Sequence, residues 1–216
     1  MTQIAVTYID HMGSDLSTVN AARVSFGKKS LWEEGTHLDY HIKELGTGRY
    51  DGEIFYWKLS ANDTKLIKYL AKHKHISPFG HAFASFHIKA PIFVARQLVK
   101  HKFLRWNEIS RRYVDDEPEF YTPDVWRGRS ADKKQGSEGV VDEVFTHWQQ
   151  WAYSLDVYKE MLAAGVAPEQ ARMALPQSTM TEWYWSGSLD AFASMCRLRC
   201  ASDTQYETRI VADQIS

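Results

Sequence analysis

Between Arg96 and Arg112 the sequence carries six cationic side chains (Arg96, Lys100, Lys102, Arg105, Arg111 and Arg112) and His101, against one acid, Glu108. Cations near a helix C-terminus relieve its dipole by about 0.3–1 kcal/mol each, which accounts for one or two of them. Six, interleaved with Asn107, Glu108 and Ser110, point to a site for anionic ligands. Adjacent arginines suit phosphate, because each planar guanidinium can donate two hydrogen bonds to it. Three more arginines follow late in the chain: Arg172, Arg197 and Arg199. Two residues apart on a helix, Arg197 and Arg199 face different ways, so one reaches solvent while the other can enter a site. Spacing does not choose between them.

His73, His75, His81 and His87 are the second chemical group. Imidazole is a common metal ligand, but no cysteine or carboxylate interleaves, and His81 and His87 alternate along a strand-like stretch. No metal site is assigned. His75, two residues before Ser77 in a turn, can instead hydrogen-bond a ligand. Trp106 interrupts the basic segment and can stack on a planar ring, as aromatic platforms for single-stranded nucleic acids do. The phosphate loops G-x-x-x-x-G-K-[ST] and G-x-G-x-x-G are absent, so a P-loop nucleoside triphosphatase or Rossmann dehydrogenase is unsupported. There is no G-x-S-x-G to make Ser110 a nucleophile.

The elements around these residues must come from one chain of 216 residues, read as a single domain spanning 1–216. Its 26 basic and 27 acidic residues leave a net charge of −1, which excludes a generally basic surface but not a local basic pocket. Hydrophobic residues at 44% provide for an ordinary core, so disorder is not the main state. No apolar stretch is long enough to span a bilayer, and no leader is evident at the start, so a cytoplasmic location is expected. Cys196 and Cys200, four apart, read as buried free thiols rather than a disulfide or redox pair.

Alternation predicts strands over 3–10, 81–89 and 179–185, and an extended stretch over 117–124. Apolar periodicity and caps predict helices from Asp15 to about Ser25, from Asn62 or Asp63, over 92–101 behind Pro91, over about 140–164 to a Gly165 cap, from Pro168, over 189–200, and from near Thr204. The 28–58 segment reads as a short helix followed by a loop or hairpin, and 127–139 as a mobile loop. The sum is a mixed α+β domain.

Three blocks then match a known pattern: His75-Ile-Ser-Pro-Phe-Gly-His81, Phe86-His-Ile-Lys-Ala-Pro-Ile-Phe-Val-Ala-Arg-Gln97, and Lys100-His-Lys through Asn107-Glu-Ile-Ser-Arg-Arg-Tyr113. They resemble the flavin-dependent thymidylate synthases, whose R-H-R-x7-S motif is here Lys100-His101-Lys102 and then Ser110. Supporting blocks are Met12–Ser17, Ala21–Phe26, Glu119–Pro123, Gly165–Pro176 and Leu198-Arg199, so the match runs over most of the chain.

The resemblance implies an α/β fold with helices packed on an antiparallel sheet and no Rossmann unit. It implies a homotetramer with shared active sites, methylating dUMP at C5 to dTMP. Methylenetetrahydrofolate is the carbon donor and NADPH-reduced FAD the hydride source. The catalytic arginine, which polarises uracil and favours its N3 anion so that C5 becomes nucleophilic, corresponds to Arg199. Substrate positions correspond to Gln97, Lys100, Glu108, Ser110, Arg111, Arg112, Arg172 and Arg199. Flavin positions correspond to Ser77, Lys100, His101, Lys102, Glu108, Ser188, Leu189, Asp190 and Ser194, with His75 beside them. Lysine replaces both arginines of the motif, Arg105 and Arg111 stand where serine and glycine are usual, and Ser188 and Ser194 replace asparagines. These departures keep open a pyrimidine C5 hydroxymethylase on the same scaffold. A single-stranded nucleic-acid module is the alternative of a different class.

Overall fold

Apolar and aromatic side chains alternate along 180–188 and become a strand whose inward positions, Trp183 and Trp185, are each only 1% exposed. Around it, the computed structural model describes residues 3–35, 48–50, 53–132, 136–143 and 147–216. In chain order the elements begin with β1 (Ala5–Met12), α1 (Asp15–Arg23), β2 (Glu33–Gly35), β3 (Gly48–Tyr50), β4 (Glu53–Lys58) and α2 (Ala61–Lys72). Next come β5 (Phe83–Pro91), α3 (Ile92–Leu98), β6 (Leu104–Glu108), β7 (Trp126–Arg129) and β8 (Ser137–Val141). The chain closes with α4 (His147–Ala163), α5 (Pro168–Ala171), β9 (Met180–Ser188), α6 (Leu189–Arg199) and α7 (Tyr206–Ile215). No described helix is long and apolar enough to cross a membrane.

The chain folds into two compact units, one made of Met1–Asp10, Ser85–Gly187 and Ala191–Ser216, the other of His11–Ala84 and Ser188–Asp190. In the first, the main sheet has the order β1-β5-β9-β6, and β6 runs antiparallel to β9 with Trp106 opposite Trp185 and Glu108 opposite Trp183. Phe192 of α6 packs edge-on against Trp185 and Phe86, at ring distances of 5.5 and 5.1 Å. Ile88, Val94, Leu98, Met195 and Val211 are fully buried in the same core. This is the mixed α/β fold with antiparallel strands and packed helices that the sequence leads one to expect.

In the second unit one carboxylate ties three segments together. Asp63, 3% exposed, accepts from Arg23 Nε (2.8 Å) and Nη2, Ser30 Oγ (2.9 Å) and Ser60 Oγ (2.8 Å), while its own backbone N–H donates to Ser60 Oγ, the N-cap of α2. A buried carboxylate needs such a full set of donors to offset its lost hydration.

Several boundaries differ from expectation for identifiable reasons. α3 ends at Leu98, so Lys100 and His101 lie in the turn beyond it. β6 escapes sequence reading because Arg105, Asn107 and Glu108 mask the alternation of Leu104 and Trp106. Of the 127–139 stretch, read as a loop, 127–129 and 137–139 lie in the two paired strands β7 and β8, whose polar and glycine residues show no apolar alternation, and 133–135 lie outside the described residues. Val140 and Val141 belong to β8, so the long helix starts at His147. Of the 28–58 segment, the described parts include β2, β3 and β4, with both outer strands antiparallel to β4. The helix expected there falls on 28–35, which is not helical, or on 36–47, outside the described residues.

Replacing Asp63 by asparagine leaves the Arg23 charge uncompensated and should lower the unfolding free energy by about 3 kcal/mol, measured by urea denaturation at neutral pH. Burial alone would raise the Asp63 pKa, but the hydrogen bonds from Arg23, Ser60 and Ser30 and the Arg23 charge hold it below its usual 3.8. Its contribution is therefore complete above the unfolded-state value and vanishes as pH falls through the lower folded-state value. The gap between wild type and Asp63→Asn should close in acid. A gap independent of pH would contradict this role.

Candidate active site

The basic segment is shaped by a turn and a strand. Leu98 ends α3, and Phe103 takes a φ of 65° in the turn that carries Lys100, His101 and Lys102. A left-handed non-glycine residue costs about 1–2 kcal/mol, so the turn is held by its surroundings. β6 then pairs with β9 at Gly187, where a Cβ would meet the Phe103 carbonyl oxygen at 2.9 Å. Only glycine permits that approach.

His101 and Arg199, 98 residues apart, meet in the first unit: Arg199 Nε donates to His101 Nε2 at 3.0 Å. The imidazole nitrogen that accepts cannot carry a proton, so this geometry needs neutral His101 with its hydrogen on Nδ1. Burial, and then the Arg199 charge, hold the His101 pKa below 6.5, in agreement. Burial also lowers the Arg199 pKa, but a guanidinium remains charged at neutral pH. Arg197 is exposed, so of the two late arginines Arg199 is the one turned inward. Among the described residues no carboxylate pairs with Arg199, and its Nη nitrogens have no partner.

The other expected substrate residues stand in differing settings. Gln97 Nε2 donates to Gln205 Oε1, and Gln97 Oε1 accepts from Thr208 Oγ1 at 3.2 Å. Glu108 has both oxygens engaged, Oε1 by Thr181 Oγ1 (2.7 Å) and Oε2 by Trp106 Nε1 (3.0 Å). Ser110 accepts from Arg112 Nε at 3.1 Å, and Arg111 is turned to the Asp116 carbonyl oxygen at 2.8 Å. Arg172 is exposed on the turn after α5, its Nε bound to the Glu169 carbonyl. Lys100 and Lys102 are exposed. Trp106, weighed as a base-stacking platform, already stacks on Trp183 at 4.4 Å. Thr181, Gln205 and Thr208 were missed by sequence reading, because nothing local marks a threonine or glutamine as the partner of a residue 73 to 111 positions away.

Among the expected flavin residues, His75, Ser77, Ser188, Leu189 and Asp190 fall in the second unit, and Lys100, His101, Lys102, Glu108 and Ser194 in the first. In the second unit the short 3-10 turn Ser77–His81 is tied to the start of α6, where Leu189 N–H donates to the Ala82 carbonyl at 2.8 Å. Asp190 Oδ1 is buried and has no hydrogen-bond partner among the described residues, and it lies 3.8 Å from where a Gly80 Cβ would be. A buried acceptor without a donor is costly, so this corner suits a ligand bearing N–H or O–H groups, as a flavin does. His87 is bound to Glu182 at 3.2 Å, and among the described residues no three His, Cys, Asp or Glu side chains gather as a metal site.

The His101–Arg199 bond predicts a titration. In 1H–15N NMR, His101 should titrate below 6.5 with Nδ1 protonated, and Arg199→Ala should move its pKa up by removing a neighbouring positive charge. A downward or absent shift would contradict the contact.

Comparison with known proteins places the chain. A family model described as "Thymidylate synthase complementing protein" matches residues 7–216. A flavin-dependent thymidylate synthase of Thermus thermophilus is 39% identical, over 98% of this chain and 69% of that protein. The enzyme of the same name from Thermosipho africanus is 36% identical, over 96% of this chain and 82% of that protein. A UMP/dUMP methylase from Streptomyces cacaoi, solved with 5-Br UMP, superposes with a TM-score of 0.77 at 27% identity, covering 100% of this chain and 87% of that one. The same methylase with 5-Br dUMP gives 0.72 at 30% identity, covering 99% and 88%. Each of the three blocks read from the sequence lies within the matched residues, and the chain belongs to the thymidylate synthase complementing protein family, among the flavin-dependent thymidylate synthases.

Proposed function

We propose that the protein methylates dUMP at C5 to dTMP, with methylenetetrahydrofolate as carbon donor and FAD reduced by NADPH as hydride source. The observation that carries this reading is Arg199: an inward guanidinium, oriented through Nε by a neutral His101 and free of any described carboxylate. A cation so placed attracts the negative charge that develops on uracil as N3 loses its proton, and it needs no reorganisation when that charge appears. The charge spreads through the ring and makes C5 nucleophilic, so no side-chain nucleophile is required. Gln97, Glu108, Ser110, Arg111, Arg112, Lys100 and Arg172 are the residues proposed to bind and orient the nucleotide, the cations meeting its phosphate. His75, Ser77, Ser188, Leu189, Asp190, Ser194, Lys100, His101, Lys102 and Glu108 are those proposed to hold FAD. When bound, FAD supplies the hydride that completes the methyl group.

Two further parts of the reading have their own support. Apolar neighbours of site residues are left exposed: Phe103 (82%), Tyr113 and Met173 (76% each). Exposed large apolar side chains clustered in sequence with site residues suit burial against other copies, and a homotetramer with shared sites is proposed. Both cysteines are free thiols, and burial together with Cys200 pushes Cys196 up to about 12, which keeps it unreactive. The proposed location is the cytoplasm.

The purified protein should be yellow, and incubation of dUMP with methylenetetrahydrofolate and NADPH should yield a methylated product by mass spectrometry. A hydroxymethylated product would contradict the final reduction. Arg199→Ala should retain part of the dUMP binding and lose at least about 100-fold in turnover, the scale of removing one stabiliser of developing charge. A protein that neither carries nor binds FAD would overturn the proposal.

A further inference from the structure

The amide of Gln97 has two ends of almost identical shape and opposite chemistry, so its neighbours must decide which end faces which way. Its oxygen accepts from Thr208 Oγ1 and its nitrogen donates to Gln205 Oε1. Neither contact settles the matter, because a threonine hydroxyl both donates and accepts and the Gln205 amide can itself turn over. The third link does. Gln205 Nε2 lies 3.3 Å from Glu207 Oε2, and an ionised carboxylate only accepts. The nitrogen of Gln205 therefore faces Glu207, its oxygen faces Gln97, and Gln97 must present nitrogen to Gln205 and oxygen to Thr208. One N–H and one oxygen lone pair of Gln97 are left in a fixed orientation.

The chain of amides is built into a firm corner. Gln205 is the N-cap of α7 and Glu207 lies in its first turn, where the helix dipole favours negative charge. Thr208 is fully buried. Tyr206 between them carries the Arg127 guanidinium 3.4 Å from its ring centroid, a cation–π contact. Gln205 and Glu207 also line a cleft of about 860 Å³ with Tyr121, Arg127 and Gln177, so the carboxylate end of the relay is open to the outside of the core.

We propose that Glu207 is a positioning residue that sets, through Gln205, which end of the Gln97 amide meets the nucleotide; this rests on the assignment of Gln97 to the dUMP site. An amide at position 207 can meet Gln205 with either end, so Glu207→Gln frees both orientations of the relay without removing volume. An aspartate there keeps an acceptor-only group.

The test measures dUMP binding to the flavin-loaded protein by titration calorimetry, together with kcat and KM. Glu207→Gln should weaken dUMP binding about twofold, the cost of halving the population of the competent orientation, with KM rising alike and kcat nearly unchanged, and Glu207→Asp should recover much of the loss. Gln97→Ala should weaken binding by at least as much. The Gln97→Ala/Glu207→Gln double variant should then lose nothing further, since the relay acts only through Gln97. Gln205→Met, which removes the link between Glu207 and Gln97, should mimic Glu207→Gln and serves if that variant does not fold. Wild-type affinity in Glu207→Gln, or a loss that adds to that of Gln97→Ala, would overturn the relay. Wild-type protein that does not bind dUMP, or a Gln97→Ala variant that binds it normally, would instead overturn the assignment of the site.

Discussion

Arg199 carries a full positive charge on a side chain drawn inward from solvent, and its partner among the described residues is a neutral imidazole. Removing a charge from water without a counter-charge is unfavourable unless a ligand restores one. The rest of the site can be understood from this constraint. His101 accepts a hydrogen bond from the guanidinium and so stays unprotonated, which spares the site a second positive charge and fixes the direction in which Arg199 points. Neither residue satisfies the remaining Nη donors. The proposed nucleotide, or its base on the way to an anion, would.

Holding that pair and its neighbours falls to a small number of long-range contacts. Gly187 lets β6 approach β9 closely enough for the strand to carry Glu108, and Thr181 and Trp106 occupy both carboxylate oxygens. Trp106 in turn is pinned by its stack on Trp183, which sits in the core. α7 reaches Gln97 through Gln205 and Thr208. The polar side chains that would meet ligands are thus oriented by a second layer of threonines, a glutamine and a tryptophan that would not meet them. The second unit is organised differently, around one buried carboxylate, and its Asp190 retains an unsatisfied oxygen beside the Ser77–His81 turn.

How far the sequence revealed this depends on how local the information is. The alternation over 81–89 and 179–185, the cap expected at Asp15 (the structure places the N-cap one residue earlier, at Ser14) and the stop at Gly165 are local, and each led to the right kind of element. The family resemblance supplied Arg199, which spacing could not distinguish from Arg197; the structure separates them by turning one outward. The supporting layer was not legible, since Thr181 and Thr208 act on residues 73 and 111 positions away and look like any other strand or helix threonine. The β7–β8 strands and β6 were hidden by polar composition, the first because Arg127, Gly128, Arg129, Ser137, Glu138 and Gly139 leave no apolar alternation, the second because its outward residues belong to the basic segment.

The central claim is that Arg199 draws the N3 proton equilibrium of bound uracil toward the anion. The most direct measurement is the 15N chemical shift of N3 in labelled dUMP bound to the flavin-loaded protein, compared between wild type and Arg199→Gln. Wild type should show a shift toward the deprotonated ring that returns to the free-nucleotide value in the variant. The same N3 shift in both proteins, with dUMP bound in each, would contradict it.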